Sequence, residues 1–162
     1  MKRKYLRFTK NAANITVAKI ENIINTAIVR LFEKQKNIFS FTEMTGQTEW
    51  NLAHHLAFEL KEFFPCLDCD LDVTKHNFNN KRPDIIFHTR GRVINDFLVI
   101  EMKYNGSNSA TQSDIIKIQE SWFNPILNYK FGAVVNLNTN KTFVVHTFKN
   151  PNWEENNKFH YH

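Results

Sequence analysis

The run Phe97-Leu98-Val99-Ile100, closed by Glu101-Met102-Lys103, constrains this chain more than any other stretch. Consecutive apolar residues suit a strand buried between layers. Strand side chains alternate faces, so Glu101 and Lys103 share one side while Leu98, Ile100 and Met102 take the other. Ending a buried strand with a carboxylate and an ammonium costs several kcal/mol per ion unless the charges pair or bind something. A metal ion with a phosphate would satisfy both. A purely structural Glu101–Lys103 ion pair is the plainer alternative.

A second acid stands upstream in Arg82-Pro83-Asp84, at the start of the short apolar run Ile85-Ile86-Phe87-His88. Proline is tolerated there because the first residue of a strand need not donate to the ladder. With a turn at Thr89-Arg90-Gly91-Arg92 and Asp96 opening the next strand, the two strands form a hairpin. Asp84 and Glu101 then come within cross-strand reach of one divalent cation.

Through Pro83-Asp84 and Glu101-x-Lys103, with Glu49 on a preceding helix, the chain resembles the PD-(D/E)xK nuclease superfamily, the restriction-endonuclease-like fold. The resemblance covers about Thr48 to Phe148. It implies an α/β fold, a mixed sheet with an αβββαβ core flanked by helices, to which this chain adds an extra N-terminal helix outside that core. It also implies a metal-dependent hydrolase acting on phosphodiester bonds. Asp84 and Glu101 would hold Mg²⁺, with Mn²⁺ as a substitute, and Met102 would add its backbone carbonyl. Lys103 would position or activate the attacking water, and Glu49 would assist the metal site. The implied partner is nucleic acid, DNA rather than RNA. The other reading is a nuclease-like module that binds nucleic acid or a protein without cutting it.

At 162 residues the chain is long enough for one domain with its own core. Fifteen phenylalanines, only four glycines and 42% hydrophobic residues argue against disorder. Lys and Arg number 21 against 16 Asp and Glu, a formal charge of +5 that permits a polyanionic partner without demanding one. Its placement says more. A basic start runs from Lys2 to Lys10, and Lys75, Lys81, Arg82, Arg90 and Arg92 surround the acidic motif in sequence, where they would make salt-sensitive phosphate contacts.

The expected organisation is a basic arm over 1–13, a helix and linker over 14–47, the core over 48–148 and a tail over 149–162. The first helix runs from an Asn14 cap to about Lys36, with Val17, Ile20, Ile24, Ala27, Ile28 and Leu31 on one stripe. Ile23 and Phe32 extend that apolar surface, for core packing or for a homodimer. The second helix runs from a Thr48 cap to Phe64, stopped by Pro65, with Glu49, Ala53, Leu56, Leu60 and Phe63 on its inner stripe. Near a helix N-terminus Glu49 also gains about 0.3 to 1 kcal/mol from the macrodipole. A first strand spans Cys69 to about Lys75. A third helix spans about Ala110 to Asn124, with Ile115, Ile118 and Trp122 inward and Asp114, Lys117 and Gln119 on the nuclease side. Lys117 and Gln119 are candidate nucleic-acid contacts. Strands at 132–137 and 142–148 follow, joined by a hairpin, the first of them parallel to the Glu101 strand.

Cys66 and Cys69 form a single C-x-x-C with no second pair, and the histidines lack finger spacing, so reduced packing cysteines are expected rather than zinc. His54 and His55 are expected at the surface, and His160 and His162 in a frayed tail. No apolar h-region follows the basic start and no membrane-length apolar run occurs, which points to the cytoplasm. With no separate base-reading module in the sequence, specificity would come from loops, dimerisation or a separate partner.

Overall fold

The computed structural model describes residues 15–75, 80–91 and 96–153. The basic arm, Asn14, His76, Arg92 and the chain beyond Trp153 lie outside the described residues. Within them the elements follow the expected order, apart from a short helix in the stretch expected to be linker. Helix α1 (Val17–Lys34), a short α2 (Ile38–Thr42) and α3 (Thr48–Lys61) precede strands β1 (Asp68–Leu71), β2 (Ile85–His88) and β3 (Leu98–Tyr104). Helix α4 (Asn108–Lys117) then leads to β4 (Phe131–Leu137) and β5 (Phe143–Lys149). The result is an α/β protein built on one five-stranded mixed sheet in the order β1-β2-β3-β4-β5. Strands β3 and β4 pair in parallel and the other neighbours are antiparallel.

The central position of β3 follows from its composition, since only a strand covered on both faces can bury five successive residues, Leu98 to Met102. Its alternate side chains divide the core. Leu98, Ile100 and Met102 pack with Ile85, Phe87, Ala133 and Val135 under α1 and α3. On the other face Val99, Ile86 and Val134 meet Ile118, Trp122 and Phe123. Ile23 and Phe32 of α1 are buried in the first cluster, so core packing accounts for them and the dimer reading loses its apolar surface.

Several boundaries differ from expectation for local reasons. Helix α1 is capped by Thr16, whose hydroxyl accepts from the Lys19 N–H at 3.2 Å. Thr48 lies inside α3 rather than capping it, and its hydroxyl accepts a 3.0 Å bond from Thr42. Strand β1 spans four residues because Asp72 takes a left-handed conformation, φ 55°, that breaks the ladder. Lys75 keeps only an isolated bridge to Lys81.

The third helix starts earlier than expected, at Asn108. The Ser107 hydroxyl accepts from the Ala110 N–H at 3.2 Å and caps it. After Lys117 it loosens into a π-helical turn, Ile118–Trp122, which turns Trp122 into the second cluster. Gly132 on β4 makes room for that turn, because a Cβ there would collide with Ile118 Cγ2 and lie 3.2 Å from the Phe123 ring.

Cys66 is exposed, and Cys69 on β1 packs against the larger cluster, where burial pushes its thiol up to about 11. No helix among the described residues is long and apolar enough to cross a membrane.

Candidate functional site

The register of β2 on β3 pairs Ile85 with Ile100, so one step further along the hairpin sets Asp84 opposite Glu101. Asp84 is fixed across the strands by the Met102 backbone N–H, which donates to its Oδ2 at 2.6 Å. Burial raises the pKa of Asp84. The Met102 N–H and the Lys103 charge oppose that rise, and neighbouring Glu49 adds to it.

Glu101 is only 1% exposed, and both its oxygens are engaged from the α4 side of the sheet. Lys117 donates to Oε2 at 2.7 Å and the Trp122 indole N–H donates to Oε1 at 2.5 Å. The π-helical turn matters here because it brings Trp122 beneath the carboxylate. Burial pushes Glu101 up to about 7, Lys117 pulls against it, and the charge of Asp84 adds to the rise. The ion pair of Glu101 is therefore with Lys117 on α4, not with Lys103 as the structural alternative had it.

Lys103 reaches other partners. Its ammonium donates to the Met102 carbonyl at 3.0 Å and lies 3.4 Å from Asp114 on α4 and 3.7 Å from Glu49 on α3. Burial alone would lower its pKa, but Glu49, Asp114 and Asp84 outweigh burial and hold it above the usual lysine range. Glu49 also accepts from the Tyr104 N–H at 3.0 Å, tying the start of α3 to the end of β3. The turn after β3 is pinned as well. The Gly106 N–H donates to Asn136 Oδ1 at 2.9 Å, and the Asn136 amide donates back to the Gly106 carbonyl at 2.7 Å.

Asp84, Glu101, Met102, Lys103, Glu49 and Lys117 thus converge at one end of the sheet, as the sequence suggested, while the basic flank is more dispersed. Arg82 stays close and pairs with Asp72 at 3.1 Å. Lys81 donates to the Ser121 hydroxyl, and Lys75 lies 5.9 Å from the Tyr129 ring centre. Arg90 follows β2 whereas Asp84 precedes it, so Arg90 stands at the opposite end of the strand, hydrogen-bonded to Asp70. Gln119 is exposed and faces a separate hollow beside Phe148 and Pro151. Asp114, expected on the nuclease side, pairs with Lys103, and Trp122, expected only in the core, also belongs to the site. A helical position four residues from Ile118 does not reveal that an indole N–H serves a carboxylate.

Among the described residues no three His, Cys, Asp or Glu side chains gather closely enough to form a ready metal cage. The donor chemistry nevertheless suits a hard cation, since Asp84 and Glu101 offer carboxylate oxygens and Met102 a carbonyl. For such an ion, Lys117 and Lys103 would release the oxygens they now hold. Beside these groups opens a cavity of about 210 Å³, lined by Glu49, Trp50, Ala53, Leu71, Arg82 and Asp84 among others.

No family model and no curated protein matches the chain. Among solved structures the crystal structure of SSO0001 is similar, with a TM-score of 0.39 and 18% identity. That match covers 85% of this chain and 67% of the other. So slight a likeness defines no family.

Proposed function

We propose that this chain is a metal-dependent nuclease of the PD-(D/E)xK kind, with a restriction-endonuclease-like fold, hydrolysing phosphodiester bonds in nucleic acid, DNA in preference to RNA. One observation carries the reading. Asp84 and Glu101 stand in cross-strand register with Lys103 at the same sheet end, and the Met102 backbone binds both Asp84 and Lys103. The order α3-β1-β2-β3-α4-β4 supports it as an αβββαβ core, with α1 added over the sheet.

Asp84, Glu101 and the Met102 carbonyl would hold Mg²⁺ or Mn²⁺, which when bound polarises a phosphate and lowers the pKa of water. The Met102 N–H fixes the Asp84 carboxylate, and the Trp122 indole orients Glu101. Lys103, held above the usual lysine range by Glu49, Asp114 and Asp84, would position or activate the attacking water and neutralise charge developing on the phosphate. Asp114 and Glu49 hold its ammonium in place. Lys117 and Arg82 are the basic groups nearest the carboxylates and the first candidates for phosphate contacts.

The test is incubation of wild type, Asp84→Ala and Lys103→Ala with plasmid, linear duplex, single-stranded and branched DNA and RNA, with Mg²⁺, Mn²⁺ or EDTA. Cleavage that requires metal, Asp84 and Lys103 supports the assignment. Metal-dependent cutting that survives in purified Asp84→Ala removes it.

A further inference from the structure

The cavity beside the carboxylates has a chemistry that the hydrolytic residues leave unused. Trp50 forms one wall and is 53% exposed, whereas Trp122 and Trp153 are buried. Its indole lies nearly parallel to the His54 ring, with centroids 5.8 Å apart and planes at 16°, and about half of the residue remains exposed. Ala53 and Leu71 supply an apolar floor. Gly46 borders the opening, at φ 65° and with nothing within 4 Å of where a Cβ would sit. Arg82, paired with Asp72, places N–H donors and carboxylate acceptors on the rim.

The charges decide what could occupy this space. In the metal-free protein Glu49, Asp72 and Asp84 outnumber Arg82 in the lining, while Lys103 and Lys117 stand outside it beside Asp114 and Glu101. A neutral flat group bearing hydrogen-bonding edges suits the acidic rim and the aromatic wall together. Nucleobases have that character, and stacking on an indole is indifferent to base identity. A base within a duplex has both faces covered, so only an unpaired or extruded base can use the wall.

We infer that Trp50 and the adjoining cavity seat one unpaired base beside the scissile phosphate, which makes the substrate single-stranded nucleic acid or a junction with an unpaired nucleotide. The placement of the scissile phosphate rests on the nuclease reading, while the base seat rests on the cavity itself.

The experiment titrates full-length protein in EDTA with a single-stranded DNA 12-mer and with the blunt duplex of the same length, following tryptophan emission. Cleavage of both substrates is then measured in Mg²⁺. The single strand quenches the exposed Trp50, and Trp50→Phe, which keeps an aromatic face, removes the quench. Trp50→Ala weakens single-strand binding by about tenfold or more, the range of one lost base stack, and leaves duplex binding nearly unchanged. Metal-dependent cleavage that is indifferent to Trp50→Ala overturns the base seat and spares the nuclease. Equal losses on single strand and duplex also overturn it, because Trp50 then serves no base in particular. Trp50-dependent quenching in a protein that cuts nothing keeps the seat and refutes the nuclease.

Discussion

Glu101 carries the sharpest conflict among the individual residues, since it is nearly inaccessible yet surrounded by charge. A buried carboxylate left without its partner costs about 3 to 5 kcal/mol. Lys117 fills that role, so on the nuclease reading a divalent ion would compete with Lys117 for the same Glu101 oxygen. Lys117→Met therefore lowers the melting temperature without metal and widens the rise in melting temperature that Mg²⁺ produces. A thermal melt with and without Mg²⁺ checks both effects, and an identical Mg²⁺ response in the two proteins refutes the competition. The sign with pH follows from burial, which pushes Glu101 up to about 7. A raised carboxylate favours the folded state most below its ordinary range, and that stability is lost as pH rises through about 7. Removing the Lys117 charge, which pulls Glu101 down, extends this loss to higher pH. Asp84→Asn retains an oxygen for the Met102 N–H but loses the charge, so it folds while cleavage falls by about 100-fold or more. Asp84, Glu101, Lys103 and Glu49 were legible in the sequence because strand alternation and helix position constrain them directly. The Lys117 contact to Glu101 was not, because it crosses from helix to strand and no local period records it.

At the scale of elements, the sequence identified the segments well and their ends less well. The apolar stripe of α1 and the buried run of β3 are long patterns that packing merely confirms. Strand β1 is short and half-exposed, and its end is set by one left-handed residue, Asp72, in a segment without glycine. The π-helical turn was unreadable because it exists to fit Trp122 and Ile118 against the sheet, a demand that comes from tertiary packing rather than from the residues of the turn. Gly132 is the other half of that fit. Gly132→Ala forces Ile118 and Phe123 away from β4, with an expected destabilisation of about 1 to 3 kcal/mol, the usual cost of overpacking. Because the turn carries Trp122, the substitution also lowers metal-dependent cleavage per folded molecule. Urea unfolding and initial rates measured on the same preparation test the pair of effects. A stability loss with fully retained cleavage would separate the turn from the site.

Across the whole molecule the sheet bears charged clusters at opposite ends, with different tasks. Away from the candidate site, His88 lies between Asp70, 2.7 Å from its Nε2, and Asp96, 3.7 Å from its Nδ1. Burial disfavours the imidazolium, but the neighbouring carboxylates of Asp96 and Asp70 outweigh burial and raise the pKa of His88, with Lys75 opposing them. Asp70 is held down at about 2, chiefly by its hydrogen bond with Arg90. A raised histidine contributes stability that is complete below its unfolded value, about 6.5, and is lost as pH climbs through its folded value. A depressed aspartate contributes stability above about 3.9 that is lost as pH falls toward 2. Together they give a stability plateau in the mildly acidic range. Glu101 titrates in the same upper window, so the test is made in a Glu101→Gln background, with and without His88→Gln. The melting temperature of the single variant falls as pH rises from 6 to 8, and the double variant loses most of that slope. An unchanged slope means that His88 is not the group responsible. On the nuclease reading, His88→Gln in an otherwise wild-type chain leaves metal-dependent cleavage unchanged below its melting temperature, because Asp84 and His88 lie at opposite ends of β2 and share no hydrogen-bond partner among the described residues. A loss of cleavage at constant fold would instead join the two ends of the sheet into one functional unit.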